Sequence, residues 1–525
     1  MKRRTLFTTA AAAAVYGLAN PGSGYAASSA ECPTDPALPK RQLRAMWIAS
    51  VTNIDWPSAT GLDAATQRAE YLRLLDEAQA YRLNAVFVQV RPTADAFWPS
   101  PLEPWSQWLT GRQGGDPGYD PLAFLVEEAH KRNLEFHAWF NPYRVSMQGD
   151  PGQLVPQHPA RQHPEWIFTY GSRLYYNPGI PEVRRFIQDA IMHAVEHYDI
   201  DGVHFDDYFY PYPVSGETLP DEDTFAEYGA GFDNIHDWRR NNVNLLVQEM
   251  HDRIHAVKPW VKFGISPFGI WRNQSTDPLG SATNGLQSYD EIYADSRRWV
   301  LEGWVDYINP QVYWEIGLPV ANYAVLVPWW ANVVSGTDVH LYIGQAAYKV
   351  GTSGQWLDPA ELSRHITFNR DYPQVKGDVY FSARSLRANP LGAVDRLVSE
   401  QYSRPALIPV IEHLGGRPPA PPVITTARRT TEGVTLSFRS TATGRQPATD
   451  RAVSYAIYRF DGQFRPRQCD LADARHLIGT VRADRDTGQF IDTQVESGRT
   501  YTYVATALSR LHRESGPSPS RVVRA

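Results

Sequence analysis

"DGVHFDDYFYPYP", residues 201–213, begins with a small residue and a short apolar run, then sets Asp206 beside Asp207 and continues into a ring-rich, proline-broken segment. An apolar run of this length, ended by charge and followed by a loop, reads as a strand buried on both faces. Working outward, the same arrangement recurs. Strands are predicted at 44–51, 84–90, 135–140, 201–206, 262–268, 307–313, 340–346 and 378–383. Amphipathic helices are predicted between or after them at 63–82, 121–132, 182–198, 234–257, 289–302, 359–371 and 390–402, with a less regular one at 320–335. Apolar strands alternating with helices imply parallel pairing, and eight units in about 360 residues fit a (β/α)₈ TIM barrel with enlarged loops. A doubly wound open sheet is the rival, but no G-x-G-x-x-G follows the first strand. The fold class expected is therefore α/β.

Beyond the barrel, "GGRPPAPPV" (415–423) breaks the pattern, and alternating strands such as "SYAIYRF" (454–460) and "TYTYVATAL" (500–508) follow. Short strands with turn-bounded spacing over about a hundred residues predict a small β-sandwich. Its closing stretch, "YTYVATALSRLHRESGPSP", resembles the end of a fibronectin type III domain. The expected organisation is a leader over 1–30, a linker over 31–40, the barrel over 41–405, a Pro-rich linker over 406–421 and the sandwich over 422–525. The leader has a basic start, an Ala-rich region and small residues near Ala26 and Ala30. Arg3 and Arg4 form a twin-arginine pair, so export to the cell envelope or beyond is expected.

Composition narrows the function classes. With 51 basic and 57 acidic residues well mixed, the net charge of −6 offers no footprint for nucleic acid. No later stretch has the eighteen consecutive apolar residues of a membrane span. The 16 Trp and 28 Tyr supply flat apolar faces with a polar edge, which suits stacking on sugar rings. No Cys-x-x-Cys spacing suggests a metal site, and neither metal nor cofactor is expected. Whether the two cysteines, Cys32 and Cys469, pair is left open by the sequence.

In such a barrel, side chains at the C-terminal strand ends face the site. That rule selects Asp55 and Trp56 after the first strand, and Arg91, Asp95, Trp98, Glu103 and Trp105 after the second. It adds Asn141, Tyr143 and Arg144 after the third, then His204, Asp206, Asp207 and Tyr208 on the fourth. Trp271 and Arg272 follow the fifth, Asn309, Gln311, Tyr313 and Trp314 the sixth, and Gln345 the seventh. Carboxyls, amides and rings without a phosphate-binding loop or a G-x-S-x-G turn suit acetal hydrolysis. That reaction needs one carboxyl to protonate the leaving oxygen and another to act as nucleophile or base. Strand alternation puts His204 and Asp206 on one side, making Asp206 the residue aimed into the mouth. Asp207, Asp95 and Glu103 compete for the role of proton donor.

The stretches "RAMWIASVTNIDWPS", "VQVRPTADAFWPSPLEPWSQWLTG", "GYDPLAFLVEEAHKRNLEFHAWFNPYRV", "DGVHFDDYFYPYP", "FGISPFGIWRN" and "YINPQVYW" resemble the glycosyl-hydrolase-like family 10 barrel proteins of bacteria. The resemblance covers about residues 41–400. It implies a TIM barrel, glycoside hydrolase activity and an envelope glycan as substrate, including peptidoglycan strands stripped of stem peptides. "GVHFD" also looks like the fourth strand of amylase-type barrels, with His204 where those enzymes carry Arg. Two alternatives stand beside this reading: a catalytically silent glycan-binding barrel, and a hydrolase of a plant or storage polysaccharide.

Overall fold

The structure is a computed structural model that describes Cys32 and residues 34–525; the expected leader lies outside the described residues. Eight strands close a parallel barrel: β1 (Leu43–Ile48), β2 (Ala85–Arg91), β3 (Glu135–Phe140), β4 (Gly202–Phe205), β5 (Lys262–Ile265), β6 (Tyr307–Ile308), β7 (His340–Gln345) and β8 (Val375–Tyr380). Each strand pairs with its sequence neighbours, and β1 pairs with β8 to complete the ring. Among the helices packed outside are α1 (Ala64–Ala80), α2 (Pro121–Lys131), α3 (Pro181–His197) and α4 (Ile235–Val257). Asp63, Asp120 and Asn234 start α1, α2 and α4 by accepting backbone N–H groups of the first turn.

Several boundaries differ from the sequence reading, those of the fifth and sixth strands because of proline. The sixth strand stops at Ile308, because Pro310 has no N–H to donate to a ladder; Gln311 then makes only isolated bridges to Phe268 and Gly344. The fifth stops before Pro267. The irregular eighth helix spans Tyr323–Val334 with Pro328 inside it, and the segment predicted as one helix over 289–302 divides into Ser288–Glu291 and Ser296–Leu301. One element was not anticipated: the loop after β3 folds into a small antiparallel sheet of Arg144–Ser146, Ile167–Tyr170 and Arg173–Tyr176.

The barrel interior is filled rather than hollow. Trp47, Phe87, His137, His204, Tyr307 and Tyr342 point inward and are all nearly inaccessible. The ring of His137 stacks on Phe87 with centroids 4.3 Å apart. The Tyr307 hydroxyl lies 3.0 Å from His137 Nδ1 and 3.1 Å from His204 Nδ1, so the interior imidazoles are satisfied by one phenol. A separate core outside the strands joins their outward residues to the helices.

After the barrel, seven antiparallel strands form a three-stranded sheet (Val423–Arg429, Val434–Arg439, Thr487–Asp492) and a four-stranded sheet (Leu477–Arg482, Ala452–Asp461, Thr500–Ser509, Arg521–Arg524) around their own core. The sandwich meets the N-terminal end of the barrel through polar contacts. His512 lies 2.6 Å from Glu135, and Glu514 accepts from Lys40 at 2.8 Å. A Cys32–Cys469 disulfide ties the start of the described chain to the sandwich.

Gly202, the second residue of the opening motif, is required by this interior. A Cβ there would stand 2.4 Å from Nδ1 and 2.9 Å from Cε1 of His137, a ring already fixed by Phe87 and Tyr307. Gly202→Ala should therefore destabilise the barrel by about 1–3 kcal/mol, read from the urea midpoint; an unchanged midpoint contradicts this packing.

Candidate active site

β4 ends at Phe205, which packs outward against Phe263, while His204 and then Asp206 take the inward side. Asp206 is only 3% exposed, and its acceptors are served by N–H donors alone. Trp139 Nε1 donates at 3.0 Å, Asn141 Nδ2 at 3.0 and 3.1 Å to the two oxygens, and the backbone N–H of Tyr208 at 3.2 Å. Asp207 lies beyond the last ladder bond, so the pleat no longer dictates its direction, and it turns into the same cavity. It accepts from the hydroxyl of Tyr212 and from Gln311 Nε2 at 2.9 Å. Gln311 is itself held by donating to the Ser266 carbonyl at 3.0 Å.

Both carboxyls line a cavity of about 410 Å³ at the C-terminal ends of the strands. Its walls are largely aromatic, with Trp47, Trp139, Tyr208, Tyr313, Tyr348 and Phe381, and its polar groups include Gln89, Arg144 and Arg173. The Arg144 guanidinium lies 4.4 Å over the Tyr208 ring, and its Nε is buried without a hydrogen-bond partner among the described residues.

Burial pushes the Asp206 carboxyl up to about 6; the Asp207 charge adds to the rise, and Arg144, Asn141 and Trp139 oppose it. Burial also raises Asp207, against the hydrogen bonds from Tyr212 and Gln311. The pair therefore retains a proton to a higher pH than free carboxylates do. Hydrogen-bond chemistry favours one place for it. Indole, amide and backbone N–H groups can only donate, so Asp206 is best served as the anion. The Tyr212 hydroxyl can rotate to accept, so Asp207 can hold the proton.

Not every residue selected from the sequence reaches this cavity. Arg144, Asp206, Asp207, Tyr208, Gln311 and Tyr313 line it, and Asn141 touches the dyad from behind. Glu103 does not: it forms a fully buried bidentate ion pair with Arg91, at 2.5 and 2.7 Å. Arg91 in turn donates to the carbonyls of Asn141 and Pro142, at 2.5 and 3.0 Å. The pair thus clamps the loop whose amide holds Asp206. Asp95 is buried with its oxygens bonded by Thr93, and burial pushes it up to about 7, but it faces the loop interior. These two acids are thereby withdrawn from competition for the proton-donor role.

The remaining selections serve packing or local bracing. His204 lies beneath the cavity, taking the Trp47 Nε1–H at 3.2 Å, and burial holds it well below the usual imidazole range. Trp56 and Trp98 are core rings that donate to the Gln67 carbonyl and to His193, and Trp105 packs half-buried against the same core. Asp55 caps the loop after β1, accepting from Ala49 N, Ser382 Oγ and Arg384 N at 2.7–2.8 Å. Tyr143 and Asn309 are fully buried. Trp271 donates to Asp295, Arg272 pairs with Asp277 and Asp290, Trp314 packs edge-on against Phe268, and Gln345 bonds Asp378.

Residues missed by the sequence reading include Trp47 and Trp139. Both sit on the inward parity of their strands, two before the strand exit, and that parity could have identified them. Arg173 and Met147 arrive on the unanticipated small sheet, and Tyr348 and Phe381 on the loops after β7 and β8.

A closed parallel barrel whose strand ends gather paired acids, amides and rings defines a barrel of the glycoside hydrolase class. Residues 42–360 match the model of the family described as glycosyl hydrolase-like 10, and the chain belongs to that family. It is 50% identical over 483 residues to the glycosyl hydrolase YngK of Bacillus subtilis (strain 168), covering 91% of this chain and 92% of that protein. It is 44% identical over 362 residues to the glycosyl hydrolase DigH of Escherichia coli (strain K12), covering 65% of this chain and 82% of that one. A solved structure, the PgaB (BpsB) glycoside hydrolase domain from Bordetella bronchiseptica, aligns with a TM-score of 0.47 at 14% identity, over 69% of this chain and 99% of that one.

Glu103→Gln separates bracing from chemistry. It leaves the Arg91 guanidinium buried without its counter-charge, and a loss of about 3–5 kcal/mol in urea unfolding is expected. Full stability in that variant contradicts the bracing role.

Proposed function

We propose that the protein is an exported enzyme that cleaves O-glycosidic bonds of a bacterial envelope glycan, namely peptidoglycan strands freed of stem peptides. The observation that carries this reading is the buried Asp206–Asp207 pair opening onto an aromatic-walled cleft. Sugar rings present C–H faces to Trp and Tyr, while their hydroxyls need amides and guanidinium groups such as Gln89 and Arg173. A strand without stem peptides carries a free lactyl carboxylate on every second sugar. Arg144 and Arg173 both line the cleft, and neither pairs with a carboxylate within salt-bridge distance among the described residues. They fit such an anionic polymer better than a neutral storage polysaccharide.

In the proposed reaction, Asp207 gives its proton to the glycosidic oxygen as the bond from that oxygen to the anomeric carbon breaks. Asp206, anionic and held by Trp139 and Asn141, faces the positive charge that develops on that carbon. A water then supplies hydroxide to the anomeric carbon, and its second proton restores Asp207. The Arg91–Glu103 pair takes no part in bond making; it fixes the loop of Asn141.

Two comparisons test this reading. Mature protein incubated with peptide-free peptidoglycan strands should release oligosaccharides by mass, with little release from a plant and storage polysaccharide panel. Asp206→Asn should lower that turnover about a thousandfold or more while leaving far-ultraviolet circular dichroism and strand binding unchanged. Undiminished hydrolysis by the variant rules out the assignment, and strand binding without product release by the wild type favours the silent-binder reading.

A further inference from the structure

At the end of the barrel opposite the cleft, three groups converge on one buried carboxylate. Asp306 directly precedes β6 and is inaccessible. Its Oδ2 accepts the backbone N–H of Phe263 at 2.6 Å and lies 3.1 Å from His255 Nε2. Its Oδ1 lies 2.7 Å from Nε2 of His413, in the turn Glu412–Leu414 that leads to the sandwich. His251, one helical turn before His255 on α4, stacks edge-on with it at 4.3 Å between centroids.

The same barrel offers an internal comparison. Asp201, directly before β4, accepts the N–H of Phe136 at 2.9 Å and lies 2.7 Å from His130 Nε2 on α2. Arg510 of the sandwich stands 3.9 Å from its other oxygen, so one imidazole, one strand N–H and one basic group from the sandwich side make up a hook of this kind. At Asp306 the first two are His255 and the N–H of Phe263. His413 stands where Arg510 does at Asp201, and His251 is additional; a hook alone does not account for it.

Donor atoms of His251, His255 and Asp306 all lie within 4.8 Å of one another. Metal–ligand bonds of about 2.0–2.1 Å in a tetrahedral site separate the ligand atoms by roughly 3.3 Å, so a small adjustment of side chains suffices. Two histidines four apart on a helix present their rings on one face, the arrangement in which helices commonly hold zinc. Imidazole nitrogens with one carboxylate suit zinc over calcium or magnesium, which prefer oxygen ligands.

We propose that His251, His255 and Asp306 bind a zinc ion, pinning α4 to the start of β6. The expectation of no metal site overlooked the spacing of His251 and His255. Because the site lies at the N-terminal strand ends, its role is structural and separate from sugar cleavage.

The test uses untagged mature protein, stripped with EDTA and dialysed against zinc chloride. About one zinc per chain should be retained by mass spectrometry, and the melting temperature should rise with zinc concentration. His251→Gln removes a ligand that bonds nothing in the barrel core. It should weaken zinc binding by at least the roughly 10–100-fold that loss of even an outer partner causes. His130→Gln, at the comparison hook, should leave zinc content unchanged. Wild-type protein that holds less than about a tenth of an equivalent, or His251→Gln protein that binds zinc as the wild type does, overturns the proposal.

Discussion

Two carboxyl groups on consecutive residues, both withdrawn from water, cannot both carry a charge without cost, and the rest of the site is arranged around that constraint. Asp206 and Asp207 repel each other and lose hydration together, so both hold protons more tightly than free carboxylates. Their partners then differentiate them. Asp206 meets only donors, from Trp139, Asn141 and the Tyr208 backbone, whereas Asp207 meets a hydroxyl and an amide. A like-charged pair in symmetric surroundings would share a proton without preference; unequal surroundings supply one acid and one anion from adjacent positions.

The scaffold keeps that difference fixed. Asn141 is aimed by its loop, which is clamped by Arg91, which is neutralised by Glu103, all out of contact with the cleft. Below, the Tyr307 hydroxyl satisfies His137 and His204, so the layer under the dyad is filled and hydrogen-bonded. Both carboxyls line the cleft. This is why a residue such as Glu103, which reads like a second catalytic acid in a carboxyl-rich loop, has its effect at one remove.

The architecture was legible because the strands are continuous apolar runs and their spacing repeats; parity then placed Asp206 inward. What the sequence concealed follows from loop folding. Trp56, Trp98, Trp105 and Trp271 sit in long loops that bury their own rings, so an aromatic after a strand end is as much a loop core as a sugar platform. Arg173 is distant in sequence from every barrel strand and enters the cleft only because residues 144–176 form a sheet of their own. Trp47 and Trp139 are hidden for the opposite reason: they lie within strands, ahead of the strand-end residues that the barrel rule selects. The Asp306 cluster needs three separated segments brought together, and only its helical pair was visible in one dimension.

The pH dependence of kcat/KM on peptide-free glycan strands tests the central claim most directly. A group that must donate a proton fails once it is deprotonated, so the alkaline limb should fall with an apparent pKa raised above the ordinary carboxylate range, a property of the pair. An activity that holds its full value well above pH 6 would contradict a shared proton on Asp206 and Asp207 as the source of catalysis.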